Sequence, residues 1–349
     1  MDNSSEIAKI LKDSMWSYNE IHNPKYRKIT ILGSDSELAD LFVRVESVFS
    51  LLEKGDELFT PVLNRKGVGN RFSLTDTGEF FINTINFSLS IPCELMDKYK
   101  LNPAVCIFLG YIKKHKLGGL NLDLICYSEY ACIRQKINHF AKVIKKIYAG
   151  VNFKNKLRNY FRGIKKVHDG LNEYINMIFR KYSQVKVLRM ELGYRKSPEY
   201  PYGNENGVCY SEAKKHKLLF FDEKDKNSVF EGMICYIWKL EYAEQKGFSW
   251  HLVLFFHSKI VKKNCVLVEE IGKYWTEHVT KGLGMYMDCK DFHKGYKTYG
   301  IGLMRKGNKN DRDELRKAID YVVKTNYFAK IKIPNDGRSI GRSKIKVLK

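Results

Sequence analysis

The sequence predicts an α+β fold, an antiparallel sheet with helices packed on it, preceded by a mainly helical N-terminal region. Three observations carry that expectation. From residue 185 onward, runs of period 2 and period 3.6 follow one another as strand, helix, strand, strand, helix, short strands, helix. Two of those strands lie in WKLEYAEQKGFSWHLVLFFH (238–257), joined by the tight polar turn Gln245-Lys246-Gly247, so they pair antiparallel. Before residue 185 the readable periodicity is mostly helical.

In chain order, Asp35 to Leu52 puts Leu38, Phe42, Val45, Val48, Phe49 and Leu52 on one helical face, and Ser34 with Glu37 has the spacing of a capping box. The segment RKGVGN (65–70) is a glycine-rich turn without the GxxxxGK[ST] pattern of a phosphate-binding loop. AVCIFLGYI (104–112) fits a buried strand or a buried helix, and periodicity does not choose between them. Residues 1–130 form an N-terminal region to which no chemistry is assigned.

Residues 131–184 read as a basic helical connector, with Lys142, Lys145, Lys146, Lys154, Lys156, Arg158, Arg162, Lys165 and Lys166 interleaved with Phe140, Tyr148, Phe153, Tyr160 and Phe161. The lysines suit a phosphate backbone, or else a solvated face; the aromatic residues suit the core face of an amphipathic helix. In the strand VKVLRMELGY (185–194), Val187, Arg189 and Glu191 share one face and Leu188, Met190 and Leu192 the other. Ser211 to Asp225 is helical, its lysines directed to solvent. Gly232 to Tyr242 is a central strand and Ser249 to Phe256 its partner. Val266 to Thr280 is a helix with Val268, Ile271 and Trp275 as core face. Met285 to Asp288 and Thr298 to Met304 are short edge strands. Asp311 to about Ala329 is the last helix, with Asp311 and Glu314 as capping box. Residues 185–330 thus form the folded C-terminal domain, and 331–349 a basic flexible tail.

Composition narrows the partner. Sixty-one basic against thirty-nine acidic residues give a net charge of +22, the footprint of a protein that meets a polyanion, most simply nucleic acid. Eight cysteines form no CxxC pair, which excludes a zinc-finger reading and suits a reducing cytoplasm. The polar N-terminus has no signal-peptide core, and no apolar run approaches the ~18 residues a bilayer requires, so no membrane partner is expected.

Candidate chemistry sits on the hairpin and the last helix. Ser249 and His251 share a strand face about 6–7 Å apart, and Glu241 can lie beside them across the hairpin. One imidazole, one carboxylate and a hydroxyl or water make an oxygen-rich shell suited to Mg²⁺ or Mn²⁺ rather than zinc. His257 lies about 20 Å along the strand from His251 and is excluded. On the last helix, Leu315, Ala318, Ile319 and Val322 make a core stripe, while Glu314, Lys317, Tyr321 and Lys324 fall on the other side. The Tyr321–Lys324 spacing brings an ammonium near a phenol, and a nearby cation favours the phenolate that attack on phosphate needs.

Taken together, VLRMELGY (187–194), WKLEYAEQKGFSWHLVLFF (238–256), IGKYWTEHVTKG (271–282), YGIGLMRK (299–306), AIDYVVK (318–324) and GRSIGR (337–342) resemble the filamentous-phage (inovirus) replication-initiator-like proteins. That family resembles the wider HUH class of rolling-circle initiators and nickases. The resemblance implies an HUH, ferredoxin-like palm over residues 185–330, acting on single-stranded DNA at a replication origin in a bacterial cytoplasm. Tyr321, assisted by Lys324, would attack a DNA phosphodiester and become a 5′-phosphotyrosyl end. Mg or Mn would be held by Glu241, His251 and Ser249. Arg189, Lys165, Lys166, Lys317, Arg338 and Arg342 would hold DNA, and a host helicase and polymerase would follow. One departure stands out: the His-hydrophobic-His motif of the family falls on Ser249-Trp250-His251, a serine replacing the first histidine. The alternative is a relative that has lost its chemistry and acts as a DNA-binding regulator of phage or plasmid replication.

Overall fold

The structure is a computed structural model that describes residues 34–55, 57–62, 71–91, 93–195, 208–222, 227–243, 247–259, 264–292, 300–327 and 329–346. It divides into two compact units, residues 35–164 with 326–330, and residues 165–325 with 331–349. The glycine-rich segment 65–70 and the turn residues 245–246 lie outside the described residues.

The unit built on residues 35–164 comprises α1 (Ser34–Lys54), β1 (Phe59–Val62), β2 (Arg71–Leu74), α2 (Asp76–Ser90), α3 (Cys93–Lys98), β3 (Tyr99–Leu101), α4 (Pro103–His115), α5 (Ala131–Ala149) and the start of α6 (Val151–Lys181). The apolar stripe read on α1 is the buried one: Leu38, Phe42, Val45, Val48, Phe49 and Leu52 all lie in the core. The ambiguous segment 104–112 is helical. Asn102 Oδ1 accepts the Ala104 N–H at 2.9 Å, and Pro103 takes the first position, where its missing N–H costs nothing. Phe81, Phe108 and Phe140 then interlock, with ring centroids 5.2–6.0 Å apart.

A carboxylate intrudes on this core. Glu46 Oε2 accepts a 3.3 Å hydrogen bond from the Tyr148 hydroxyl, and Oε1 has no partner among the described residues. Burial, aided by the charge of Glu53 and opposed by the Tyr148 hydroxyl, pushes the Glu46 pKa from 4.5 up to about 7.

The other unit receives the rest of α6 and adds β4 (Gln184–Tyr194), α7 (Tyr210–Asp222), β5 (Met233–Ala243), β6 (Gly247–His257) and α8 (Asn264–Lys273), which runs into a π-helical turn at Tyr274–Val279. β7 (Gly284–Asp288), β8 (Gly302–Arg305), α9 (Lys309–Lys324) and β10 (Ile340–Arg342) follow, while β9 (Ala329–Ile331) belongs mainly to the first unit. Six strands form one sheet in the order β10-β5-β6-β4-β7, with β8 also on β4. Every pairing is antiparallel. β7 takes one end of β4 (190–194) and β8 the other (184–187), so both are edge strands.

The strand alternation decides the layers. Leu188, Met190, Leu192, Leu240, Trp250, Leu252, Leu254 and Phe256 form a single apolar face that packs on Ala213, Phe220 and Phe221 of α7 and on Leu267, Val268, Ile271 and Trp275 of the α8 segment. An α+β sheet with helices packed on it is therefore the fold, as the sequence predicts. No helix among the described residues is long and apolar enough to cross a membrane.

Three local expectations change. Lys214 and Lys215 of α7 face solvent, but Lys217 does not: its ammonium lies 3.8 Å from the Trp238 ring centroid. Half-burial, with the Lys214 charge nearby, pushes its pKa down to about 8. α9 starts earlier than the Asp311 box, because Asn308 Oδ1 accepts the N–H groups of Asn310 and Asp311 at 3.0 and 3.3 Å. Asp311 instead accepts the Arg305 backbone N–H at 3.0 Å.

The tail expected to be flexible is in part a strand. The outer edge of β5 offers unpaired peptide groups, and Ile340–Arg342 satisfies them, followed by Ser343 N to Tyr236 O and Lys346 N to Ile234 O, each at 3.0 Å. Gly341 is required there: a Cβ would lie 2.5 Å from the Trp238 ring.

Two predictions follow from packing and burial. In Gly272→Ala the new methyl would stand 2.2 Å from the Tyr286 ring. Thermal unfolding should show a loss of about 1–3 kcal/mol. For Glu46, the folded pKa lies above the unfolded one, so stability falls as pH rises from about 4.5 to about 7 and is flat above. Urea unfolding should find Glu46→Gln indistinguishable from the parent at pH 4 and more stable at pH 8 by up to about 3 kcal/mol.

Candidate active site

The face of the sheet opposite this apolar cluster carries the candidate residues. On β5, Ile237, Lys239 and Glu241 point to it; on β6, Ser249, His251 and Val253; on β4, Arg189, Glu191 and Gly193. The register sets them in rows. Glu241 lies directly opposite Ser249. Lys239, His251 and Glu191 form the next row across three adjacent strands. Arg189 stands diagonally to His251, and its Nη2 approaches His251 Nε2 at 3.4 Å. A guanidinium has only donors, so this contact assigns Nε2 as acceptor and the ring proton to Nδ1.

These groups are buried. Arg189, Lys239 and His251 are each 2% exposed, Ser249 1% and Glu191 6%. The Lys239 ammonium lies 2.9 Å from Glu241 Oε1. Two cations and two carboxylates are thus gathered on this face, with Lys239 and the partly buried Glu241 forming an ion pair. Arginine, lysine and glutamate are almost never buried unless paired, and such clusters gather at functional sites.

α9 lays Tyr321 against this face. Leu315, Ala318, Ile319, Val322 and Val323 are fully buried, which fixes the rotation of the helix and turns Tyr321 to the site, partly exposed. Its ring centroid is 5.3 Å from that of His251, and the Arg189 guanidinium stands 5.1 Å over it. The structure thus brings Glu241, Ser249, His251 and Tyr321 to one surface. The side chain of Lys324 lies outside the described residues. The cation described at the Tyr321 ring is Arg189, a residue the sequence places among the DNA-holding ones; it is buried, with its guanidinium over that ring.

The other basic candidates lie apart from this cluster. Lys165 and Lys166 are exposed on α6, Lys165 paired with Asp169 at 3.0 Å. Lys317 is exposed and paired with Glu314 at 2.9 Å. Arg338 is exposed, and Arg342 covers the Tyr174 ring at 4.7 Å while donating to the Gly170 carbonyl.

Sequence reasoning missed Lys239, and it noted Glu191 only as a strand position. The signal was present: both are charged residues at alternate positions of strands otherwise almost wholly apolar. It also missed a pin between α6 and α9. His168 Nε2 lies 2.7 Å from Asp320 Oδ1, one residue from Tyr321. The hydrogen bond to Asp320 raises the His168 pKa above 6.5, against the opposing effect of burial.

The fold and this polar face define an α+β domain with a tyrosine set over a buried cluster of charged groups. Residues 147–343, more than half of the chain, match the model of the YagK/YfjJ C-terminal domain, and the chain belongs to that family. No curated protein and no solved structure matches the chain.

The His168–Asp320 pin stabilises the fold below the unfolded histidine pKa and is lost as pH rises through the folded one. An NMR titration should place the His168 midpoint above 6.5 and should show it fall in Asp320→Asn.

Proposed function

We propose that the protein cuts and transfers single-stranded DNA through Tyr321, starting rolling-circle replication at an origin in a bacterial cytoplasm, with host helicase and polymerase acting afterwards. One observation carries this reading: Tyr321 lies against His251 and beneath the Arg189 guanidinium, over a buried face that also holds Lys239, Glu191 and Glu241. The likeness of residues 185–343 to inovirus initiators supports it, as does the +22 charge with lysines exposed along α5 and α6.

In this reading Tyr321 Oη attacks phosphorus and the bond from phosphorus to the 3′-oxygen breaks. The 5′ side of the DNA stays on the enzyme as a phosphotyrosyl ester. The phenol gives up one proton and the departing 3′-oxygen gains one, so the step is balanced without another reactant. Arg189, standing over the ring, offsets negative charge that develops as the phenol attacks. The ester keeps the bond energy, so a 3′-hydroxyl can later reseal the strand by the reverse attack. Exposed lysines and arginines, including Lys165, Lys166, Lys317, Arg338 and Arg342, hold the backbone.

A divalent cation at Glu241, Ser249 and His251 would polarise the phosphodiester. The residues present do not fit it well. The Glu241 carboxylate already holds the Lys239 ammonium at 2.9 Å, a hydroxyl stands at Ser249, and Lys239 sits opposite the one imidazole. No step above passes through a metal.

The test is a covalent-adduct gel with single-stranded origin oligonucleotides, run with and without Mn²⁺. The protein should form an adduct, and Tyr321→Phe should lower it by at least about a thousandfold. Salt-sensitive DNA binding with no adduct under any condition would reduce the protein to a DNA-binding regulator.

A further inference from the structure

We propose that the Lys239 ammonium is the resident cation of this site and fills the electrostatic role of a divalent metal ion in phosphodiester transfer. The proposal rests on the strand-transfer reading of Tyr321 and names the source of positive charge within it.

The placement of Lys239 carries the inference. A lysine normally runs its four-carbon stem along apolar surface and delivers its charge to water. Lys239 is 2% exposed, in the middle of the 11-residue strand β5. It is bound to Glu241 at 2.9 Å and stands directly opposite His251, whose ring meets Tyr321. The Glu241 carboxylate is thus held by an ammonium carried in the same cross-strand row as His251. A hard divalent ion needs carboxylate and water oxygens free to coordinate it. Here the carboxylate is engaged by an ammonium, and a serine hydroxyl stands at the position where the resembled family has an imidazole. Stability offers no alternative reason for the arrangement, because a buried ion pair is commonly replaced by apolar residues at no loss. An ammonium fixed in a dry site needs no reorganisation when charge develops on a phosphoryl group, which is how preorganised electrostatic stabilisation acts.

In the chemical step Tyr321 Oη bonds to phosphorus, the 3′-oxygen leaves, and one proton passes in net from phenol to the departing oxygen. Lys239 exchanges no atoms in this step.

The experiment uses the full chain, a single-stranded origin oligonucleotide and the Tyr321 adduct as readout, in EDTA and in millimolar Mn²⁺. The parent protein should form adduct in EDTA within about threefold of its rate in Mn²⁺. Lys239→Met should lose at least about a hundredfold in EDTA and recover in part with Mn²⁺, because the vacated Glu241 and His251 then accept the metal. Since Lys239→Met strands a buried carboxylate, the double variant Lys239→Met/Glu241→Gln removes the pair without leaving a charge. It should keep its thermal midpoint and circular dichroism and lose the adduct in both buffers.

An adduct abolished by EDTA in the parent overturns the proposal while leaving Tyr321 as nucleophile. A folded double variant that keeps the parent rate overturns it as well. No adduct from the parent in either buffer removes the strand-transfer reading, and the proposal with it.

Discussion

Arg189, Glu191, Lys239 and Glu241 carry two positive and two negative charges onto three adjacent strands; the first three are nearly sealed from water and Glu241 is partly buried. Removing any one of them would leave a neighbour uncompensated, at a cost of several kcal/mol. The cluster therefore holds together as a unit, and the rest of the domain is arranged around that requirement. The opposite face of the same strands is free to be wholly apolar and supplies the core against α7 and α8. Strand periodicity keeps the charged groups off that face within β4, β5 and β6, although Val187, Ile237 and Val253 on the charged side are buried as well.

α9 lays Tyr321 against the cluster without a dedicated polar support. The side chains that fix the helix are apolar and fully buried: Leu315, Ala318, Ile319, Val322 and Val323. Their stripe leaves a single rotation, and Tyr321 falls at its margin, over His251 and Arg189. His168 adds a second constraint at the neighbouring position by binding Asp320 at 2.7 Å. A tyrosine on a helix fixed both by its buried stripe and by a pin at the neighbouring residue keeps a narrow range of orientation.

Much of this was legible in the residues. The alternation of VKVLRMELGY sorted its two faces correctly, because every second side chain had one hydropathy. The stripe of α9 and the core face of α8 followed the helical period. The alternation of Ser249 and His251, with Glu241 across the hairpin, set the three on one surface. What stayed hidden depended on partners far away in sequence. Nothing local says that Lys217 will lie on Trp238, or that the Arg189 guanidinium will stand over Tyr321. The segment 104–112 was undecidable because a fully buried helix and a fully buried strand look alike; Asn102 and Pro103 carried the distinguishing signal just outside it. Asp311 has the spacing of a cap but is used elsewhere, since Asn308 reaches the free N–H groups first.

β10 is the last strand of the chain, and it covers the outer edge of β5 with Gly341 flat against Trp238. During synthesis, β5, β6 and β4 leave the ribosome about a hundred residues before Ile340 does, long enough for the hairpin to form on its microsecond timescale. Through that interval the β5 rim is open to any passing strand, including one from a sister chain on the same messenger. The order in which the sheet is completed thus makes its final few residues a guard against entanglement between nascent copies.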